Sequence, residues 1–251
     1  MEKLLQGLNS EQANAVTHGE GPLMIIAGAG TGKTTVITKR IAWLIAQGKA
    51  TPDQILALTF TDKAANEMEE RVDVLLPMGY VDLSISTFHA FCERVLREHG
   101  IDIGLPQDFT VVSEVDAWLL MRRHLADFAL DYYRPRGNPT KFFRMLLGHF
   151  SRAKDEGISP DQYSTHVESM IVNAAGGAPE AFAAMPEEER LELTKFREVA
   201  YAYKTYQDVL LAEDALDFGD LLAYTVELLK TRPNILAEYR KQYTYIVVDE
   251  F

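Results

Sequence analysis

The chain has 251 residues, 47% of them hydrophobic, a net charge of −12 and one cysteine, Cys92. That is enough for one large domain or two smaller ones with a proper core. It excludes an internal disulfide, argues against a generic nucleic-acid binder, and fits a reducing compartment, with the cytoplasm as the default location. No stretch approaches the ~18 consecutive apolar residues of a membrane span, and Met1-Glu2-Lys3 opens no signal peptide, so no membrane association is expected.

Asn9 followed three residues later by Gln12 reads as a capping box at a helix start. The apolar run Leu23 to Ile26 predicts a strand over Leu23–Ala27, leading into Ala27-Gly28-Ala29-Gly30-Thr31-Gly32-Lys33-Thr34. That segment ends as a phosphate-binding P-loop does. Its glycines let backbone N–H groups turn inward around phosphate oxygens, Lys33 adds a positive charge, and the Thr34 hydroxyl can ligate Mg²⁺. The helix that follows points its N-terminus at the same anion. Ala27 stands where the strict pattern has Gly, and so small a residue still fits. Gly28-Ala29-Gly30 also opens like a dinucleotide fingerprint, but its third glycine would fall at Lys33, which argues against NAD or FAD.

The P-loop helix is expected over Lys33–Gln47, stopped by Gly48. A second strand, Ile55–Phe60, feeds a helix at Asp62–Leu76. A third, Leu83–Thr87, feeds a helix at Phe88–His99, closed by Gly100. This alternation predicts a parallel sheet covered on both faces, with ligands at the C-terminal edges of its strands. From Phe109 to Ala212 amphipathic stretches take over, at Glu114–Leu130, Thr140–Lys154, Pro160–Val172 and Glu187–Leu211, which reads as a helical insertion. Within it Arg134, Arg136, Lys141, Arg144, Arg152 and Lys154 occur with no acid between Tyr132 and Lys154. Such a patch is a footprint for DNA or RNA, or equally a solvated helix face. The sheet resumes at Tyr245–Val248, which runs into Asp249-Glu250. An NTPase needs this opposite a P-loop, the aspartate to hold Mg²⁺ and the glutamate to polarise water; the plain alternative is a strand capped by solvated acids.

Six stretches in order, Leu8–Gln12, Ala27–Thr35, Leu58–Met68, Ser86–Cys92, Leu216–Leu222 and Val247–Phe251, resemble the motifs of superfamily 1 DNA helicases of the UvrD/Rep/PcrA type. The resemblance spans the whole chain. It implies an α/β fold, a RecA-like P-loop NTPase parallel sheet with a large all-helical insertion. Residues 1–108 plus 213–251 would form the ATP-binding domain (1A) and 109–212 the insertion subdomain (1B), which touches nucleic acid in the family and would give the basic stretch a purpose. ATP is then expected against Gln12, Ala27, Gly28, Ala29, Gly30, Thr31, Gly32, Lys33, Thr34 and Thr35, with the Gln12 amide reading adenine. Mg²⁺ is expected on Thr34 and Asp249, and catalysis from Lys33, Asp249 and Glu250. At Thr35 many relatives carry Arg.

Phe60, Thr61 and Asp62 match a motif in which an aromatic stacks on a DNA base while polar groups hold phosphates, and Thr87, Phe88 and His89 match a second DNA-contacting motif. Asp62 stands where many relatives have Asn, and a carboxylate repels phosphate. Without the resemblance, His89 reads as a helix-start residue packed on the sheet. In the family the last motif continues beyond the point matched by Phe251, into a second RecA-like domain with arginine fingers. The expectation is therefore the N-terminal part of an ATP-dependent 3′→5′ DNA helicase acting on single-stranded or 3′-tailed duplex DNA, partnered by C-terminal helicase domains. By itself the chain is expected to be monomeric, to bind MgATP weakly and not to unwind. The alternatives are another P-loop ATPase, a nucleotide kinase, or a catalytically silent nucleotide- or DNA-binding module.

Overall fold

The computed structural model describes residues 2–28, 30–76, 83–176 and 179–250. Its main elements in chain order are α1 (Glu2–Leu5), α2 (Ser10–Val16), α3 (Lys33–Ala46), β1 (Ile55–Thr59), α4 (Asp62–Leu75), β2 (Ser84–Thr87), α5 (Phe88–His99), β3 (Thr110–Val112) and α6 (Glu114–Arg123). They continue with α7 (Phe143–Asp155), α8 (Pro160–Ala174), α9 (Glu187–Ala212), β4 (Ala215–Asp217), α10 (Phe218–Thr231), α11 (Pro233–Gln242) and β5 (Tyr245–Val248). The architecture is the expected mix of helices and parallel strands. The chain divides into two compact units, residues 1–94 with 229–251, and residues 95–228. Among the described residues no helix is long and apolar enough to cross a membrane.

In the first unit β2, β1 and β5 form a parallel sheet in that order. All five residues of β1 are buried, and alternate side chains serve opposite faces as strand geometry requires. Ile55 and Ala57 pack with Ile41, Leu44, Met68 and Val72 from α3 and α4. Leu56 and Leu58 pack with Phe88, Phe91, Tyr239 and Tyr243. A strand covered on both sides reads as a continuous apolar run, which is why this one was visible in the sequence.

The strand expected at Leu23–Ala27 is not formed. Residues 22–28 join no ladder, and Met24 and Ile26 are 73% and 91% exposed. An apolar run becomes a strand only where a neighbour offers a free edge in register and both faces find cover. Here a cavity of about 730 Å³ is lined by Glu20–Ala27 on one side and Thr244–Glu250 on the other. Other limits moved by a residue: β1 stops at Thr59, α3 at Ala46 and α4 at Leu75, and β2 begins at Ser84.

The second unit takes in β4 and most of α10 beyond the expected insertion, and β4 pairs in parallel with β3. Those two short strands make the insertion not wholly helical. Its core is aromatic: Phe150 stacks on Tyr203 and Tyr206 at centroid distances of 5.0 and 5.5 Å. The helix expected over Glu114–Leu130 ends at Arg123. Phe128 and Leu130 both reach the core, a spacing of two that one helix face cannot supply. The turn that follows is held by the buried Glu198 carboxylate, which accepts from the backbone N–H groups of Asp131, Tyr132 and Tyr133 at 3.1, 3.1 and 3.3 Å.

Candidate nucleotide-binding site

Gly30 and Gly32 adopt φ of +75° and +86°, where an L side chain is strained, and Gly32 caps the start of α3. The loop is laced to itself. Thr31 Oγ1 donates to Gly28 O at 2.8 Å, and Lys33 Nζ donates to Ala27 O and Gly28 O at 3.0 and 2.9 Å. Two of the three ammonium donors are thus held by loop carbonyls, which leaves one for a further partner. Ala29, expected in the same loop, lies outside the described residues. Thr35 is exposed on the first turn of α3.

Gln12 makes the capping box that the sequence offers as its plain reading. Its backbone N–H donates to Asn9 Oδ1 at 2.8 Å and its Oε1 accepts from Asn9 N–H at 3.1 Å, a complete capping box. Its Nε2 also donates to Thr31 O at 3.0 Å. A Cβ on Gly32 would come within 3.3 Å of that nitrogen. One lone pair and one N–H of the amide remain for a further partner.

Thr34 Oγ1 donates to Asp249 Oδ2 at 3.3 Å, bringing together residues far apart in sequence. Asp249 is buried just past β5, where its N–H donates to Leu58 O at 2.9 Å and extends the ladder to β1. A hydroxyl and a carboxylate, oxygen donors only, suit Mg²⁺, which takes one or two protein ligands and completes its shell with phosphate and water. Glu250 is exposed and has a φ of +62°, a backbone state that costs a non-glycine residue about 1–3 kcal/mol.

Of the residues matched to DNA contacts, Phe60 stands 70% exposed at the C-terminal end of β1. Thr61 caps α4, its hydroxyl accepting from Ala64 N–H at 3.1 Å, and Asp62 is exposed beside it. Thr87 is buried and caps α5, accepting from Ala90 N–H at 3.2 Å. Phe88 packs on the Leu56, Leu58 and Tyr243 cluster, and His89 is half-buried. The fold brings these residues to the C-terminal edge of the sheet but commits Thr87 and Phe88 largely to its own packing.

In the second unit the basic stretch is corrected. Arg134, Arg136, Lys141, Arg144 and Arg152 are exposed, whereas Lys154 is buried. Its Nζ lies 2.7 Å from both Asp217 Oδ2 and Asp220 Oδ1, and 5.1 Å from the Tyr206 ring centroid. Tyr206 Oη donates to Asp217 Oδ2 at 2.9 Å. The two aspartates also cap α10 reciprocally, each accepting from the other's N–H at 3.0 Å. Burial pushes the Asp220 carboxyl up to about 6, with Lys154 opposing and Asp217 adding to the rise. Burial alone would raise Asp217 as well, but the Lys154 charge and the bonds from Lys154, Asp220 N–H and Tyr206 hold it below the usual carboxylate range. A buried ammonium needs such partners, so Lys154 cannot serve as a phosphate contact. A stretch of local sequence without acids gives no hint of acids 63 residues away; the visible signal was the Asp-x-x-Asp pattern at a helix start.

The family model for the UvrD/REP helicase N-terminal domain matches residues 8–251. The chain is 39% identical over 254 residues to the ATP-dependent DNA helicase PcrA of Leuconostoc citreum, covering all of this chain and 30% of that protein. It is 38% identical to PcrA of Bacillus subtilis (strain 168), covering 99% of this chain and 30% of the relative, and 38% identical to the ATP-dependent DNA helicase UvrD1 of Mycobacterium bovis, covering 100% and 29%. It thus spans about 30% of the length of these relatives. With a P-loop leading into α3 and a buried aspartate facing it from the end of β5, the chain belongs to the UvrD/REP helicase N-terminal domain family.

Proposed function

We propose that this chain is the ATP- and single-stranded-DNA-binding N-terminal part of an ATP-dependent 3′→5′ DNA helicase. The observation that carries the reading is the approach of Thr34 Oγ1 to Asp249 Oδ2 at 3.3 Å, two oxygens of the kind Mg²⁺ prefers, Thr34 being the residue that follows Gly32 and Lys33 in the loop. In this reading Lys33 and the loop N–H groups bind the phosphates, Thr34 and Asp249 hold Mg²⁺, Gln12 pairs with adenine, and Glu250 orients and polarises the attacking water. MgATP, when bound, supplies the phosphoanhydride and the cation that neutralises charge on its oxygens. The remainder of a full-length helicase supplies the other wall of the cleft and its arginine fingers, worth ~10³–10⁵ in turnover, so these 251 residues alone bind MgATP weakly and do not unwind.

Lys33→Ala is expected to weaken MgATP binding about 10–150-fold, the worth of one charge-assisted contact at ~1.5–3 kcal/mol. Titration calorimetry or a fluorescent ATP analogue measures it, and an unchanged Kd overturns the P-loop assignment. Phe60→Ala is expected to weaken single-stranded DNA binding by ~1–3 kcal/mol at every salt concentration, as loss of a stacked base does. Fluorescence anisotropy with a labelled oligonucleotide checks it. Nucleotide binding that survives alongside DNA affinity indifferent to Phe60 would favour a plain nucleotide-binding module.

A further inference from the structure

Helix α2 carries Gln12 but is only seven residues long. So short a helix has no stability of its own, and its last carbonyls lack helical donors. One side chain answers most of that need. Arg40 Nη1 donates to Ala15 O, Val16 O and His18 O at 3.3, 3.2 and 3.0 Å. Arg40 belongs to α3, the same helix that begins with Lys33. The guanidinium is itself half-buried and faces Glu20, which accepts from Tyr245 Oη at 2.9 Å, so it is held on a second side. Val16, at the end of α2, is fully buried.

Helix α2 is therefore fastened at both ends. Its C-terminal end is tied by Arg40 to α3, and its N-terminal end by Gln12 to Thr31 O in the loop. The Gln12 amide can discriminate bases only if its remaining lone pair and N–H face the base edge together. Adenine presents one donor and one acceptor there, guanine two acceptors. A small rotation of α2 would forfeit that match while leaving the loop intact.

We propose that Arg40 is a positioning residue for base selection, holding α2 in the orientation that lets Gln12 prefer adenine to guanine nucleotides. This rests on the reading of Gln12 as the adenine contact. Arg40 touches no nucleotide in this account and acts wholly through α2.

The test is equilibrium binding of MgATP and MgGTP to the chain and to its Gln12→Ala, Arg40→Met, Arg40→Lys and Gln12→Ala/Arg40→Met variants. Met keeps the apolar stem of Arg40, and Lys keeps the charge with fewer donors. Arg40→Met is expected to cut the ATP-to-GTP preference by about 5–150-fold, the worth of one bidentate base contact, by weakening ATP alone. GTP affinity, which reports the folded loop, is expected to stay within about twofold, Lys to restore part of the preference, and the double variant to be no less selective than either single one. Equal weakening of ATP and GTP, or additive losses in the double variant, would overturn the positioning role. So would a full preference retained in Arg40→Met while Gln12→Ala loses it. Should Gln12→Ala itself keep the preference, the adenine reading fails first and the role of Arg40 falls with it.

Discussion

Replacing Lys154 by Met is expected to destabilise residues 95–228 by about 3–5 kcal/mol, the usual cost of removing one partner from a buried ionic group. The Met stem still fills the space against Tyr206 and Gly219, so the loss isolates the charge from the packing. Each compact unit carries one tryptophan, Trp43 in the first and Trp118 in the second. Urea unfolding followed by Trp118 fluorescence in a Trp43→Phe background is expected to shift to lower denaturant, while Trp43 fluorescence in a Trp118→Phe background shifts little. Adding Asp217→Asn and Asp220→Asn to Lys154→Met is expected to recover most of the loss, since no uncompensated carboxylate then remains. A shift below about 1 kcal/mol in Lys154→Met would mean that the aspartates find their charge balance elsewhere.

The same cluster predicts an unusual pH dependence. Asp220, faced by Lys154, Asp217, Tyr203, Tyr206 and Tyr224, has its carboxyl raised from 3.8 to about 6. Between those values the folded chain keeps a proton that the unfolded chain has released. Stability therefore declines as pH rises through that window and levels off above it. Asp217 works in the opposite sense: held low, its contribution is present above pH ~4 and is lost as the medium becomes more acidic. Asp220→Asn is expected to abolish the decline between pH 4 and 6 while keeping the acid-side loss. Denaturation midpoints at half-unit pH steps give both curves, and parallel curves would show that Asp220 titrates normally.

What could be foreseen from residues alone follows a physical division. Strands buried on both faces, such as Ile55–Thr59, and helices with both ends marked, such as Phe88–His99, announce themselves locally. So did the loop around Lys33 and the acid pair after Val248, because glycine geometry and a strand end each restrict which residues can stand there. Their mutual approach, Thr34 to Asp249, joins the start of α3 to the end of β5, which no local stretch of sequence displays. Leu23–Ala27 was misread because local sequence shows an apolar run but not whether a neighbouring edge stands in register with it. Lys154 was misread for a similar reason: its neighbours in sequence are basic and exposed, while its partners arrive from β4 and α10. Arg40 is silent in the sequence, since an arginine in a helix gives no sign that three foreign carbonyls converge on it.

The pairing of β3 with β4 has a consequence in polymer terms. Thr110–Val112 lie against Ala215–Asp217, so the intervening chain leaves and returns through one clasp. Strands of three residues put the exit and the re-entry only about 7 Å apart along the strand direction. The entropy lost in closing such a loop grows with the logarithm of its length, so even doubling the roughly 100 residues between the strands would add only ~0.6 kcal/mol. Length between the strands is thus weakly constrained, and helices can be extended or exchanged there with little effect on closure. The clasp itself has no such latitude: its register places Asp217 opposite Val112, and a slip of one residue would turn the Asp217 side chain to the other face, away from Lys154.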